Sequence, residues 1–139
     1  FRRVLFRSQE FFKNDRFADN VGIELTEVKK GYSRAQLKIT DEHLNAGGRT
    51  QGGVLFTLAD LALAAAANSH GTLAFSLSSN ITFLRASTTG DILYAEAHER
   101  YTGRSTGCYQ IDITNQRGEL VATFESSVFR KSDPLPFQL

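Results

Sequence analysis

The chain has 139 residues, a formal net charge of +1 and 41% hydrophobic residues. That length suits one domain with a real core. The balance of Lys and Arg against Asp and Glu argues against a dedicated nucleic-acid binder, though not against a local basic patch for a phosphorylated ligand. The single cysteine, Cys108, rules out an internal disulfide framework and fits a reducing, cytoplasmic setting.

The opening "FRRVLFRSQ" lacks the apolar run and cleavage site of a secretory leader. The sequence contains no methionine, so residues 1–8 read as a remnant or a disordered start. From the cap-like Ser8, Phe11, Phe12 and Phe17 recur at roughly helical spacing, which predicts a short amphipathic helix ending near Gly22. Two strands follow, "GIELTEVKKG" and "YSRAQLKITD", with a hairpin turn at Gly31. In the second, Ala35, Leu37 and Ile39 alternate with Gln36, Lys38 and Thr40, the period of a half-buried strand.

"EHLNAGGRTQGG" is glycine-rich and without apolar period, hence a loop. An apolar helix then spans about residues 53–69 and stops at Gly71. Its run 53–67 is too short for a membrane span and carries Asp60, so it reads as a buried helix. Four strand-like runs complete the domain, the last two joined by the hairpin loop "NQRG". The tail, residues 132–139, holds both prolines and is expected to leave the sheet. The domain proper is therefore 9–131. Its expected class is α+β: a curved antiparallel sheet wrapped around a helix that is apolar nearly all round.

Gly52 and Gly53 open that helix, where backbone N–H groups have no intrahelical partner. These donors suit an anion or a polarised carbonyl oxygen, as in an oxyanion hole. The same pair also fits a plain tight turn. Asp60 is a carboxylate in an apolar helix, which demands a polar cleft, a partner or a proton. It is either a catalytic acid with a perturbed pKa or a structural Asp bonded to its neighbours. Eight residues of helix separate Gly52 from Asp60, about 12 Å at roughly 1.5 Å per residue. A general base must lie within about 3 Å of its proton or act through one water. If both residues serve one substrate, they come from two copies of the chain, and the sites lie at a homodimer interface.

The spacing of Asn45, Gly48, Gly52, Gly53, Phe56, Leu58 and Asp60 resembles the hotdog-fold acyl-CoA thioesterases of the phenylacetic-acid-degradation type. "NITFLRASTTGD" and "YQIDITNQRGELVATF" are similar to that family's strands, and the likeness covers about residues 9–131. The resemblance implies the hotdog fold, with two sheets joined edge to edge in a dimer and often a tetramer of such units. It implies hydrolysis of an acyl-CoA without metal or cofactor. By position, Asp60 would be the base or nucleophile and the Gly52 N–H would polarise the carbonyl. Asn45 would help hold the carbonyl or the water, and Ser76 would position the water. One departure stands out: the family's His before Gly-Gly is Gln51 here. Glutamine can orient a loop or substrate but carries no proton charge near neutral pH.

For the rest of the substrate, Gly53, Phe56 and Thr57 are candidates at the acyl end. Phe56 is equally suited to core packing. Arg85 and Arg104 are candidates for the phosphates of coenzyme A, against ordinary solvated charge. His43 and His70 are expected in a loop and at a helix end, without the spacing of a metal site. Cys108 is expected to pack rather than to react. Two other readings stay open: a non-catalytic acyl-CoA sensor on the same fold, and a dehydratase, against which Gln51 counts. Nucleic-acid and membrane partners are not expected.

Overall fold

A computed structural model describes residues 2–137. Helix α1 (Arg2–Phe12) and the short α2 (Arg16–Val21) precede strands β1 (Glu24–Lys29) and β2 (Tyr32–Lys38). The long helix α3 (Gly52–Ala67) follows, then β3 (Thr72–Phe83), β4 (Ile92–Thr102), β5 (Thr106–Thr114) and β6 (Leu120–Pro134). All strand pairs are antiparallel, and the sheet order is β1-β2-β4-β5-β6-β3. The sheet curls around α3, the hotdog arrangement expected above.

The alternation expected for β2 holds: Ser33, Ala35 and Leu37 are buried and their neighbours are not. β4 and β5 repeat it with Leu93, Ala95 and Ala97, then Tyr109, Ile111 and Ile113. Against these rows lies the buried side of α3, Leu55, Leu58, Ala59, Ala62, Leu63 and Ala66. Alanines on both sides let helix and sheet approach closely. Each large aliphatic side chain buried there contributes roughly 1.5–3 kcal/mol. With its continuation to His70, α3 is long and apolar enough to cross a bilayer, yet it is the core helix under the sheet.

Three boundaries differ from expectation. α1 begins at Arg2, so the segment set aside as remnant or disordered is helical, and Ser8 is buried inside the helix rather than capping it. The true cap is Asp15, whose carboxylate accepts from the Ala18 N–H and starts a second helix that ends at Gly22. At the other end β6 continues through Pro134, which pairs with Thr72, so the chain leaves the sheet three residues later than expected.

The two sheet edges are finished differently. Against β1 lies α1, with Gln9 Nε2 donating to the Leu25 carbonyl at 2.7 Å. β3 pairs only with β6, and no described element covers its outer edge. Its sequence, TLAFSLSSNITF, holds neither a charged residue nor a proline.

Candidate active site at the start of α3

The loop before α3 is built from its own polar groups. Asn45 Oδ1 accepts from the Gly47 and Arg49 N–H groups at 2.9 and 3.1 Å. Thr50 is buried, donates its N–H to Ser87 and accepts from the Ser87 hydroxyl at 2.7 Å. The Gln51 N–H donates to the His43 carbonyl. These bonds fix where α3 begins.

Gln51 is the N-cap of α3. Its Oε1 accepts from the Gly53 N–H at 2.5 Å. A neutral amide thus satisfies one of the free N–H groups at the start of the helix. The Gly53 N–H is occupied by that bond, while the Gly52 N–H has no partner among the described residues. Gly52 packs against the Phe83 ring: an added Cβ would lie 3.0 Å from Cζ.

Asp60 lies two turns further along the same helix, so the 12 Å separation stands as a property of α3. The carboxyl is half-buried, and neither a hydrogen bond nor an ion pair to it is present among the described residues. Burial raises its pKa above the ordinary value, and the nearby charge of Asp15 adds to the effect. A half-buried acid without a partner is poised to take a proton or to meet a group the single chain does not supply.

Ser76 sits on β3 opposite Val128, a core residue of β6. Opposed residues in an antiparallel pair share a face, so Ser76 stands on the helix side of the sheet. It is exposed there. Phe56 meets Phe124 edge-on, with ring centroids 5.0 Å apart, and is 36% exposed. The Thr57 hydroxyl donates to the Gly53 carbonyl at 2.7 Å.

The two arginines are not neighbours. The Arg85 N–H donates to Val121 at the start of β6, and its side chain pairs with Glu119 at 3.3 Å. Arg104 adjoins Ser105, whose carbonyl accepts from Arg130. Val121 and Arg130 are nine strand residues apart, roughly 30 Å. One chain therefore cannot close both arginines on one phosphate group.

The opposite end of α3 holds a polar cluster that sequence reasoning missed. Arg130 Nη1 donates to the Ala67 carbonyl at 2.6 Å, and its Nη2 to the Tyr109 hydroxyl at 3.1 Å. That hydroxyl donates to Glu99 at 2.7 Å, and His70 Nε2 meets the same carboxylate oxygen at 2.5 Å. Burial raises the Glu99 pKa, but the bonds from Tyr109 and His70 and the Arg130 charge outweigh it and hold the group below its ordinary value. Burial and Glu99 push the Tyr109 phenol up to about 12. The cluster joins residues from four elements, so no local signal announces it.

Two further placements change. His43, expected in a loop, ends a short 3-10 turn and is buried, with Nδ1 accepting from the Thr40 N–H and Nε2 meeting the Val21 carbonyl at 2.7 Å. Cys108 does not pack in the core. It is exposed on the outer face of β5, opposite Tyr101.

With this geometry in place, the kinship of the chain is plain. Residues 47–122 match the thioesterase superfamily. The acyl-coenzyme A thioesterase PaaI of Escherichia coli is 38% identical over 119 residues, 86% of this chain and 85% of that protein. The solved structure of the E. coli PaaI protein superposes with a TM-score of 0.90 at 34% identity, covering 95% of this chain and 96% of that one. The smu.793 protein of Streptococcus mutans, solved bound to acetyl CoA, superposes with a TM-score of 0.78 at 27% identity over 82% of this chain and 92% of its own. The chain belongs to the thioesterase superfamily.

Proposed function

We propose that the protein hydrolyses an acyl-CoA thioester at sites shared between two copies joined along their β3 edges. The observation that carries this reading is the pairing of two unfinished groups on one rigid helix. The Gly52 N–H has no partner among the described residues, and Asp60 is a carboxyl with raised pKa about 12 Å away. Neither can complete the other within one chain. A long edge strand without charge or proline invites strand pairing. Pairing two β3 edges antiparallel places the start of one β3 beside the end of the other, and so supplies each site from both copies.

In this reading the thioester carbonyl oxygen accepts from the Gly52 N–H of one copy. Asp60 of the partner copy takes a proton from a water held with Ser76. The water oxygen adds to the carbonyl carbon, and the negative charge grows on the oxygen at Gly52. Collapse breaks the C–S bond, and the CoA thiolate receives the proton from Asp60. The products are the free acid and CoA. Asn45 uses Oδ1 to hold its own loop, which leaves its Nδ2 to donate to the carbonyl or the water. The same antiparallel pairing brings Arg85 of one copy to the end where Arg104 of the other stands. The coenzyme phosphates then meet arginines from both copies, and among the described residues Arg104 has no carboxylate pairing like the one that holds Arg85.

A panel of acyl-CoA substrates assayed for free-thiol release tests the reading, with sedimentation to establish the assembly. Release that disappears in Asp60→Asn while the dimer persists supports it. Binding without release points to the sensor, and a fully active monomer overturns the shared site. Oxygen-18 found on Asp60 after a single turnover in labelled water would mark it as the nucleophile, through attack of water at its own carboxyl carbon in an acyl–aspartyl anhydride.

A further inference from the structure

The loop that opens α3 is fastened at a point the proposed reaction does not use. Thr50 and Ser87 are polar residues, and both are buried. Two hydrogen bonds join them in a closed ring. The Thr50 N–H donates to the Ser87 carbonyl at 2.8 Å, and the Ser87 hydroxyl donates to the Thr50 hydroxyl oxygen at 2.7 Å. Ser87 belongs to the connection between β3 and β4, residues 84–91. Its neighbour Thr88 adds a bond from its hydroxyl to the Gly48 carbonyl at 3.0 Å.

That connection is itself held at both ends. The Leu84 and Arg85 N–H groups donate to the Val121 carbonyl, the Gly90 N–H donates to the Ile39 carbonyl, and the Ile39 N–H donates to Asp91. Within the loop the Leu44–Thr50 bridge and the bond from the Asn45 N–H to the Arg49 carbonyl set the shape. On its other side the loop is tied through Gln51 to His43, whose ring meets the Val21 carbonyl. The ring at Thr50 is thus the tie to the strand connection that follows β3, the edge strand of the proposed dimer.

Space filling alone does not call for hydroxyls here. A valine and an alanine would occupy nearly the same volume, and replacing both partners of a buried hydrogen bond by apolar groups of the same shape is nearly neutral for stability. What the hydroxyl pair adds is direction, since a hydrogen bond tolerates only a narrow range of distance and angle. Thr50 stands between Asn45 and Gly52 in the chain. Those two residues hold the carbonyl or the water in the proposed reaction. A misplacement of about 1 Å in such groups costs on the order of 10²-fold in rate.

We propose that Ser87 is a positioning residue: paired with Thr50 as a buried hydroxyl latch, it sets Asn45 and the Gly52 N–H from the β3–β4 connection. The inference rests on the hydrolase reading above.

The test measures free-thiol release from phenylacetyl-CoA and hexanoyl-CoA. In Ser87→Ala, and in Thr50→Val combined with Ser87→Ala, kcat should fall about tenfold or more while KM stays within about twofold. The double variant should keep nearly the native urea midpoint, because both partners are removed together. Thr50→Ser keeps the acceptor oxygen and should retain most of the native kcat. If the double variant does not fold, Thr88→Val removes only the exposed bond to Gly48 and should lower kcat about threefold. Amide hydrogen exchange gives a readout independent of turnover: Thr50 and Gln51 should exchange faster in Ser87→Ala, with the interior of α3 unchanged. A native kcat in the folded variants overturns the inference. So does a fall in kcat matched by an equal loss of folded protein, or a Thr50→Ser as impaired as Ser87→Ala. If the native protein releases no thiol from either ester, the hydrolase reading fails. Exchange alone then decides whether Ser87 fixes the loop, and unchanged exchange rejects it.

Discussion

The two ends of α3 are finished in opposite ways. At the C-terminal end Arg130 holds the Ala67 carbonyl, Asn68 accepts from the Ala74 N–H, and Ser69 accepts from Gly31. Glu99 gathers His70 and Tyr109 beside them. At the N-terminal end the Gly52 N–H has no partner among the described residues, and Phe17 and Phe83 present their rings to solvent. Orphan groups at a helix end are ordinarily satisfied by caps, by water or by ligands. One chain builds both solutions on one helix, so the open end is not a general weakness of the fold. The closed end positions the helix, and the open end is left for something else to complete.

The sharpest way to break that contrast is at Asp60. Asp60→Asn should lower kcat by about 10³-fold, within the usual range for a lost general base. It should also raise Tm at pH 7. The native Asp60 has a pKa raised by burial. A raised carboxyl pKa favours the protonated form in the fold, so the stability it contributes is present below the unfolded value and is lost as pH rises through the folded one. Asparagine avoids that loss, and its advantage should vanish in acid. Thermal unfolding at several pH values checks the second half of this expectation independently of the assay.

Gly52 gives the next largest effect. It is the first residue of α3, where proline is tolerated because the missing N–H was unpaired anyway. Gln51 is already extended, as a residue before proline must be. Gly52→Pro should therefore keep the helix and remove only the proposed oxyanion donor, at a cost of about 10²–10³ in kcat. Gly52→Ala is the control. It brings the same Cβ against Phe83 but retains the N–H. Similar losses in both variants would mean that packing at Phe83, not the donor, matters.

The closed end should respond the other way, in stability rather than in chemistry. Glu99→Ala leaves the Tyr109 hydroxyl and His70 without their acceptor and should cost about 1–3 kcal/mol in urea unfolding. The native Glu99 pKa is held low, so its contribution is present above the ordinary carboxylate value and is lost as pH falls through the folded one. The difference between variant and native protein should narrow in that window.

The same contrast explains what could be read in advance. The open end is legible because its signals are local: two glycines, an isolated carboxylate and a fixed helical rise. The closed end is not. Glu99, Tyr109 and Arg130 come from β4, β5 and β6 and meet only after the strands pair. Gln51 was legible as a departure from a pattern but not as a cap, because capping depends on the backbone angle at that residue. Ser8 misled for the converse reason. A serine before an amphipathic run fits a cap, but the helix had already begun at Arg2. Phe17 fitted a helical period, yet a six-residue helix has too little length to bury every apolar residue it carries.

The smallest expected effect tests how far the electrostatics of the open end extend. Asp15 caps α2 through the Ala18 N–H at 3.1 Å, and its charge adds to the burial that raises the Asp60 pKa. Asparagine caps a helix about as well as aspartate. Asp15→Asn should therefore keep α2 in place while removing a negative charge near Asp60. In the proposed reaction Asp60 is the base, and a base acts only when ionised, so the rate should fall on the acid side as it takes up a proton. Without the repulsion from Asp15 the proton is held less tightly, and the acid limb of kcat/KM should move to lower pH with its plateau unchanged. An acid limb that stays put would show that burial alone sets the proton affinity of Asp60. A plateau that drops would instead show that Asp15 does more than repel Asp60, since its cap starts α2.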